Sequence, residues 1–204
     1  MNKLIARAVI VPGCLLFVGC AAKTTLISVD FRTQAGVYVV GYTANSAIRL
    51  LVEDQLVSDI IARNMVAYPS HPDIDDITSS TPAQVIGKAK DKKAVGVIVV
   101  NQVAADASDS IVQDPRRVSP THPDIQAFYE YSKGQNENFE EGQEVFAEVN
   151  LFIIQGDTAN LLWSGTTWSF HADNRGSAVV GISEIIADQL RQVRDRYRKN
   201  AFEK

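Results

Sequence analysis

The sequence of 204 residues predicts an α/β fold: a mixed sheet packed by about three helices, with a long insertion before a C-terminal hairpin and helix. Three observations predict it. Apolar residues change period along the chain, from the short run Val37-Tyr38-Val39-Val40 to helical spacing after Ser46. The run Val95-Gly96-Val97-Ile98-Val99-Val100 is apolar without alternation, as in a central strand covered by helices on both faces. The segment EVFAEVNLFIIQGDTANLLWSGTTWSF holds two strand-like stretches around a polar turn, which reads as a β-hairpin.

Each element follows from local chemistry. Residues 37–40 form the first strand, closed by Gly41. Ile48, Leu51, Val52, Leu56 and Ile60 recur at helical spacing and are expected to face the core. Arg49, Glu53, Asp54 and Asp59 are expected on other faces. Asn45 or Ser46 can cap this helix, and Asn64 suits a left-handed stop. Met65 to Tyr68 is the second strand. In Thr81-Pro82-Ala83-Gln84, threonine caps, proline fits the first helical position, and glutamine completes a capping box. That helix is expected to run to about Lys92, ahead of the central strand.

The insertion spans 104–143. AADASDSIVQDPRRVSP is loop-like and GQNENFEEGQE is acidic, while HPDIQAFYEYSK between them predicts a short helix with Ile125, Phe128 and Tyr129 on one side. Connections longer than about 12–15 residues are uncommon and are often functional or disordered. The hairpin strands are expected at about 145–154 and 161–170, around a turn at 155–160. Val145, Val149, Leu151 and Ile153 share one face of the first of these strands. The last helix, about Ser177 to Lys199, is expected to bury Ile182, Ile185, Ile186, Leu190, Val193 and Tyr197.

The amino terminus reads MNKLIARAVIVPGCLLFVGCAAK. Lys3 and Arg7 form a basic start, and Ala8 to Gly19 is apolar except for Pro12. This is shorter than the roughly 20 residues of a membrane span, so it reads as a signal peptide. Phe17-Val18-Gly19-Cys20 resembles the bacterial lipobox, with Phe17 where leucine is usual. The resemblance implies a signal peptide at 1–19, lipidation of Cys20 by palmitate-type acyl chains, a lipidated tether at 20–35, and a single domain at 36–200. A short strand is expected in the tether, at Leu26 to Phe31. Two or more acyl chains anchor stably, at about 0.8 kcal/mol per buried CH₂, so no protein span is needed. Ala21 follows the cysteine in place of aspartate, which in Gram-negative sorting implies the outer membrane, on its periplasmic face.

Cys14 and Cys20 are the two cysteines, and both lie in this segment. The domain itself therefore has no disulfide framework, thiolate nucleophile or cysteine metal site. Without Lys3 and Arg7 the formal charge of −4 becomes −6. An acidic chain without a basic face is a poor nucleic-acid binder. Arg191, Arg194, Arg196, Arg198 and Lys199 alternate with Asp188, Asp195 and Glu203, as on a solvated helix end.

The stretches AIRLLVEDQLVSDII, TPAQVIGKAKDKKAVGVIVVNQV and LLWSGTTWSF, in this order after a lipobox, are similar to bacterial lipoproteins with the TolB amino-terminal-like sandwich fold. These include the curli secretion lipoprotein and the outer-membrane lipoprotein activators of peptidoglycan synthases. The resemblance covers about 37–103 and 145–196 and departs from the family in the insertion. It also departs in lacking the amphipathic membrane-inserting segments of the curli pore. It implies binding to an envelope protein, or self-association, and it transfers no catalytic residue.

Two nearly identical phrases stand out, PSHPDI at 69–74 and PTHPDI at 120–125. His71, Asp73, His122 and Asp124, with His171 as a further candidate, could bind a divalent metal, since imidazole and carboxylate suit zinc. No H-E-x-x-H spacing supports this. Ser70-x-x-Asp73 and Thr121-x-x-Asp124 instead match a relaxed capping box, with Pro72 and Pro123 in the first turn. Both phrases are therefore expected to be caps or turns, mainly matching helix entries, with a paired recognition loop as a further reading. Asp73, Asp75 and Asp76 lack the glycine and distal glutamate of an EF-hand loop. No nucleophile elbow or phosphate loop is present, so no enzyme and no cofactor are expected.

Phe128, Tyr129 and Tyr131 in the insertion, and Trp168 on the hairpin, are the candidate partner-binding residues. Trp163 and Trp168 lie five apart on one strand and are expected on opposite faces, either one in the core and one exposed or both packed under a helix on each face. The sequence thus predicts an outer-membrane-anchored periplasmic binding or scaffold module for envelope protein assembly. The alternative is a metal- or ligand-binding enzyme built on the two HPDI loops.

Overall fold

A computed structural model describes residues 36–104, 122–133, 144–166, 170–171, 179, 183–192 and 194–195. The expected signal peptide, lipidated Cys20, the tether with its strand, and Trp168 lie outside the described residues, as do 105–121 and 134–143. In chain order the elements are β1 (Gly36–Tyr42), α1 (Ser46–Ala62), β2 (Val66–Pro69), α2 (Pro82–Asp91), β3 (Ala94–Ala104), α3 (Ile125–Ser132), β4 (Glu144–Gln155), β5 (Thr158–Thr166) and β6 (Phe170–His171). A further helical stretch, α4, covers 183–192. The sheet runs β2-β1-β3-β4-β5, with β6 pairing β4. β1 pairs in parallel with β2 and β3, whereas the pairings of β4 are antiparallel. This is the mixed α/β sandwich that the sequence predicts.

Local signals place the helices. Asn45 caps α1 by accepting from the Ile48 amide at 3.1 Å, and Asn64 ends it at φ 56°. The capping box of α2 is complete: the Gln84 amide donates to Thr81 Oγ1 at 3.2 Å, and the Thr81 amide donates to Gln84 Oε1 at 2.8 Å. β3 is buried on both faces, as its unbroken apolar run requires. Val97 and Val99 join Tyr38, Tyr42, Phe152 and residues of α2 and α3 in one core. Ile98 and Val100 join Val39, Leu151 and residues of α1 and α4 in the other.

Three expectations need correction. On α1, Leu51 is 40% exposed, whereas Arg49 and Glu53 are buried. The hairpin turn is only Gly156-Asp157, with Gly156 at φ 60°, because strand pairing continues through Ile154↔Ala159 and Gln155↔Thr158. Asn160, read as turn, sits in β5 and donates to the Gln155 side chain at 3.0 Å. On α4, Ile186 and Leu190 are buried as expected, but Ile185 is 52% exposed because it lies off the core-facing stripe. Ile182, Val193 and Tyr197 lie outside the described residues.

The β4–β5 register shifts between Leu151 and Phe152, and Leu151 then pairs with Trp163. Trp163 is half-buried against the α1/α4 core, and its ring covers Gly165. A Cβ on Gly165 would lie 2.8 Å from the Trp163 ring. Gly165→Ala should therefore displace the indole and cost about 1–3 kcal/mol. Urea unfolding reads the loss and near-UV circular dichroism reads the ring; an unchanged spectrum and midpoint would remove this packing role.

Candidate functional site

Among the described residues, most of the buried polar side chains form two clusters, one on each face of the sheet. The first is built on α1, whose residues Arg49 and Glu53 are one turn apart and so share a face. The Glu53 carboxylate accepts five hydrogen bonds: from the Gly41 amide (2.9 Å), Arg49 Nε (2.9 Å), Ser70 Oγ (2.7 Å), the Ser70 amide (2.7 Å) and the His71 amide (2.7 Å). Arg49 also donates to Ser70 Oγ and to the Asp75 carbonyl, each at 2.9 Å. The cluster joins α1, the end of β1 and the loop after β2. A carboxylate offers about four lone-pair sites, so five donors leave Glu53 none for a substrate or metal. It is a structural clamp.

Beside it, His71 Nε2 lies 2.8 Å from Asp54 Oδ1 on the exposed side of α1. Asp73 accepts from the Tyr38 hydroxyl at 3.3 Å and pairs with Lys92 at 3.1 Å. Burial first, and the charge of Asp73 second, push the Tyr38 hydroxyl well above its ordinary pKa, so it stays protonated and donates.

The second cluster lies under α3, toward the carboxyl ends of the parallel strands β1 and β3. Such ends are where ligand sites of open α/β sheets occur. Register puts Tyr42, Asn101 and Glu148 in one cross-strand row and Val99, Asn150 and Ser164 in the next. Asn101, His122, Ser132, Glu148, Asn150 and Ser164 are all buried. Asn150 Nδ2 donates to Glu148 Oε1 at 3.1 Å. His122 Nε2 lies 3.5 Å from the same oxygen, beyond hydrogen-bonding geometry.

This cluster is unsaturated. Asn101 Nδ2, His122 Nε2 and Ser132 Oγ are buried without a hydrogen-bond partner. Orphaned buried polar atoms are rare in folded proteins and point to strain or function. The His122 ring packs on Tyr131 (centroids 4.5 Å) and edge-on to Phe128 (5.6 Å). Burial pushes the His122 imidazole below its ordinary pKa, and the nearby Glu148 opposes this without reversing it. Burial, helped by Glu148, raises the Tyr131 hydroxyl. The chemistry on offer is proton uptake at His122 Nε2.

The loop carrying His122 is tied to the sheet edge. The Leu161 amide donates to the Pro123 carbonyl at 2.9 Å, and Asp124 forms a bridge with Asn160. Asp124 is itself the N-cap of α3, accepting from the Ala127 amide at 2.8 Å. The second HPDI phrase thus starts a helix, with Asp124 as the cap and not as the third residue of a capping box. The first starts none: Asp73 and Ile74 donate to the Ser70 carbonyl in a turn, because the Ser70 side chain is already held by Arg49 and Glu53.

The four residues of the metal reading do not converge. His71 and Asp73 belong to the contacts of α1, β1 and Lys92, while His122 and Asp124 belong to α3 and β5. The backbone of His171 pairs with Glu144. Phe128 and Tyr129, expected to meet a partner, are fully buried. They pack on Tyr42 at 5.6 and 5.1 Å, so the insertion's aromatics complete the domain's own core. Tyr131 is half-buried over His122.

Sequence reasoning missed Arg49, Glu53, Asn101, Glu148 and Asn150. A signal for the β4 pair existed: Glu148 and Asn150 share strand parity with Phe152, so a two-sided buried strand must take them inside.

No protein family and no curated protein matches the sequence. Among solved structures the chain is similar to a PelC dodecamer from Paraburkholderia phytofirmans, at 11% identity and a TM-score of 0.39, covering 76% of this chain and 85% of that one. A single-substitution variant of the same dodecamer matches at 10% identity and 0.39, covering 74% and 84%. A likeness of this size carries no functional inference.

Proposed function

We propose that this chain is an outer-membrane-anchored periplasmic lipoprotein whose domain is a binding or scaffold module for envelope protein assembly, not an enzyme. The observation supporting this is an apolar ridge on α1. Leu50 (42%), Leu51 (40%) and Ile61 (54%) are exposed on the side of the helix away from the buried Arg49, Glu53, Leu56 and Ile60. Asp54, within this ridge, is engaged by His71. The ridge carries no lysine or arginine, which a surface lying on lipid headgroups recruits. Exposed aliphatics flanking one carboxylate that His71 engages fit the mixed apolar and polar character of a protein interface. The occupant is therefore an apolar helix or loop of an envelope protein.

The saturated Glu53 is compatible with the same reading, since its buried carboxylate is consumed by the fold. Deleting 104–143 is no clean test, because Phe128 and Tyr129 belong to the core. The test is a paired substitution, Leu50→Asp with Ile61→Asp, in cells expressing the full chain. Recovery of crosslinked envelope partners should fall about tenfold or more, with the melting temperature unchanged. Unchanged recovery would sink the ridge, and loss of a homodimer alone would reassign it to self-association. Cys20→Ser should release the protein from the membrane fraction; retention there would refute the anchor.

A further inference from the structure

The segment 122–133 is fastened to the sheet by two kinds of contact. Its apolar face inserts Ile125, Phe128 and Tyr129 into the core, and its loop binds the β5 edge through Pro123 and Asp124. Between these holds lies the unsaturated polar cluster, with His122 at its center. We propose that this segment is a proton-sensitive clamp: proton uptake by His122 weakens the hold of α3 on the sheet and frees its aromatic face.

Geometry makes the protonated ring a poor fit. A charged imidazolium has two N–H donors, and each needs an acceptor when buried. Among the described residues the acceptor near Nε2 is Glu148 Oε1, which at 3.5 Å makes no hydrogen bond to it and is shared with Asn150. The ring is only 4% exposed and packs on Tyr131 and Phe128, both of α3, so hydrating its charged form disturbs the packing of that helix. Among the described residues, the ionizable groups facing it are Glu148 from β4 and Tyr131 from α3. Asn101 of β3 and Asn160 of β5 are neutral, Asp124 is turned to the α3 amides, and Glu130 and Lys133 are exposed and pair with each other.

The sign of the effect follows from linkage. A solvated imidazole titrates near pH 6.5. Burial holds His122 lower while the clamp is closed. Between these two values the open state binds more protons, so opening is favored as pH falls and is pH-independent well above about 6.5. One proton taken up on opening limits the effect to about tenfold per pH unit. The clamp is thus a local opening and not a collapse of the domain.

Hydrogen exchange of the full mature chain between pH 7.5 and 5.0, corrected for the intrinsic chemical rate, tests this. In the wild type the opening constant of the α3 amides should rise up to about tenfold per unit below pH 6.5, while β3 amides keep their protection. His122→Gln should flatten the α3 profile. Glu148→Gln should leave the onset near pH 6.5 and extend the sloping range to lower pH, since the carboxylate that helps hold the proton in the closed state is gone. A wild-type slope in His122→Gln overturns the proposal, as does joint loss of α3 and β3 protection. Should His122→Gln fold poorly, NMR titration of His122 in the wild type decides. A midpoint below 6.5 supports the clamp, and one at or above 6.5 removes it.

Discussion

Glu53→Ala should destabilize the domain by about 3–5 kcal/mol, the cost of stranding one partner of a buried ion pair. Arg49 would keep its charge inside the protein with its carboxylate gone, and it is only 3% exposed. The amides of Gly41, Ser70 and His71 would lose their acceptor as well. Domains of this size are stable by only about 5–15 kcal/mol, so the variant should be close to unfolding at 37 °C. Urea unfolding followed by tryptophan fluorescence measures the loss, and a change under about 1 kcal/mol would show that the clamp is not a keystone. Adding Arg49→Met to Glu53→Leu should recover part of the loss by removing the stranded charge. Recovery should be incomplete, because the backbone amides stay unpaired.

Phe128→Ala should cost about 3–5 kcal/mol, the range for emptying a buried aromatic site. The ring is fully buried and packs on Tyr42 (5.6 Å), Tyr129 (6.0 Å), Phe152 (6.1 Å) and His122 (5.6 Å). Its loss should appear first as increased exchange of the α3 amides, then as a lower unfolding midpoint. Phe128→Leu should retain most of the stability, since it leaves a smaller cavity. A Phe128→Ala variant of normal stability that loses only partner binding would return Phe128 to the surface role that its sequence context suggests.

These two residues show where sequence reading stops. Elements announced by period and capping were legible: the Asn45 cap, the Thr81–Gln84 box, the Asn64 stop and the two-sided β3 run all depend on neighbors within four residues. Burial that depends on distant partners was not. Arg49 and Glu53 read as solvent-facing because charges usually are, and the donors that permit their burial come from β1 and the loop after β2. Phe128 read as a recognition residue because it sits in a polar insertion, yet the surface it covers is made by Tyr42 and Phe152 from distant parts of the chain.

The two HPDI phrases draw the line most plainly. Six nearly identical letters carry the same local preferences, yet the backbone turns back on itself in the first and runs extended into a helix at Asp124 in the second. One became a turn whose serine serves Glu53, and the other an aspartate cap with its histidine shut beneath α3. Short-range sterics and hydrogen bonding are written in the letters themselves. Which hydrogen-bond partner and which core a side chain meets depends on strands far away in the chain, so only the assembled sheet separates a structural serine from a buried titratable histidine.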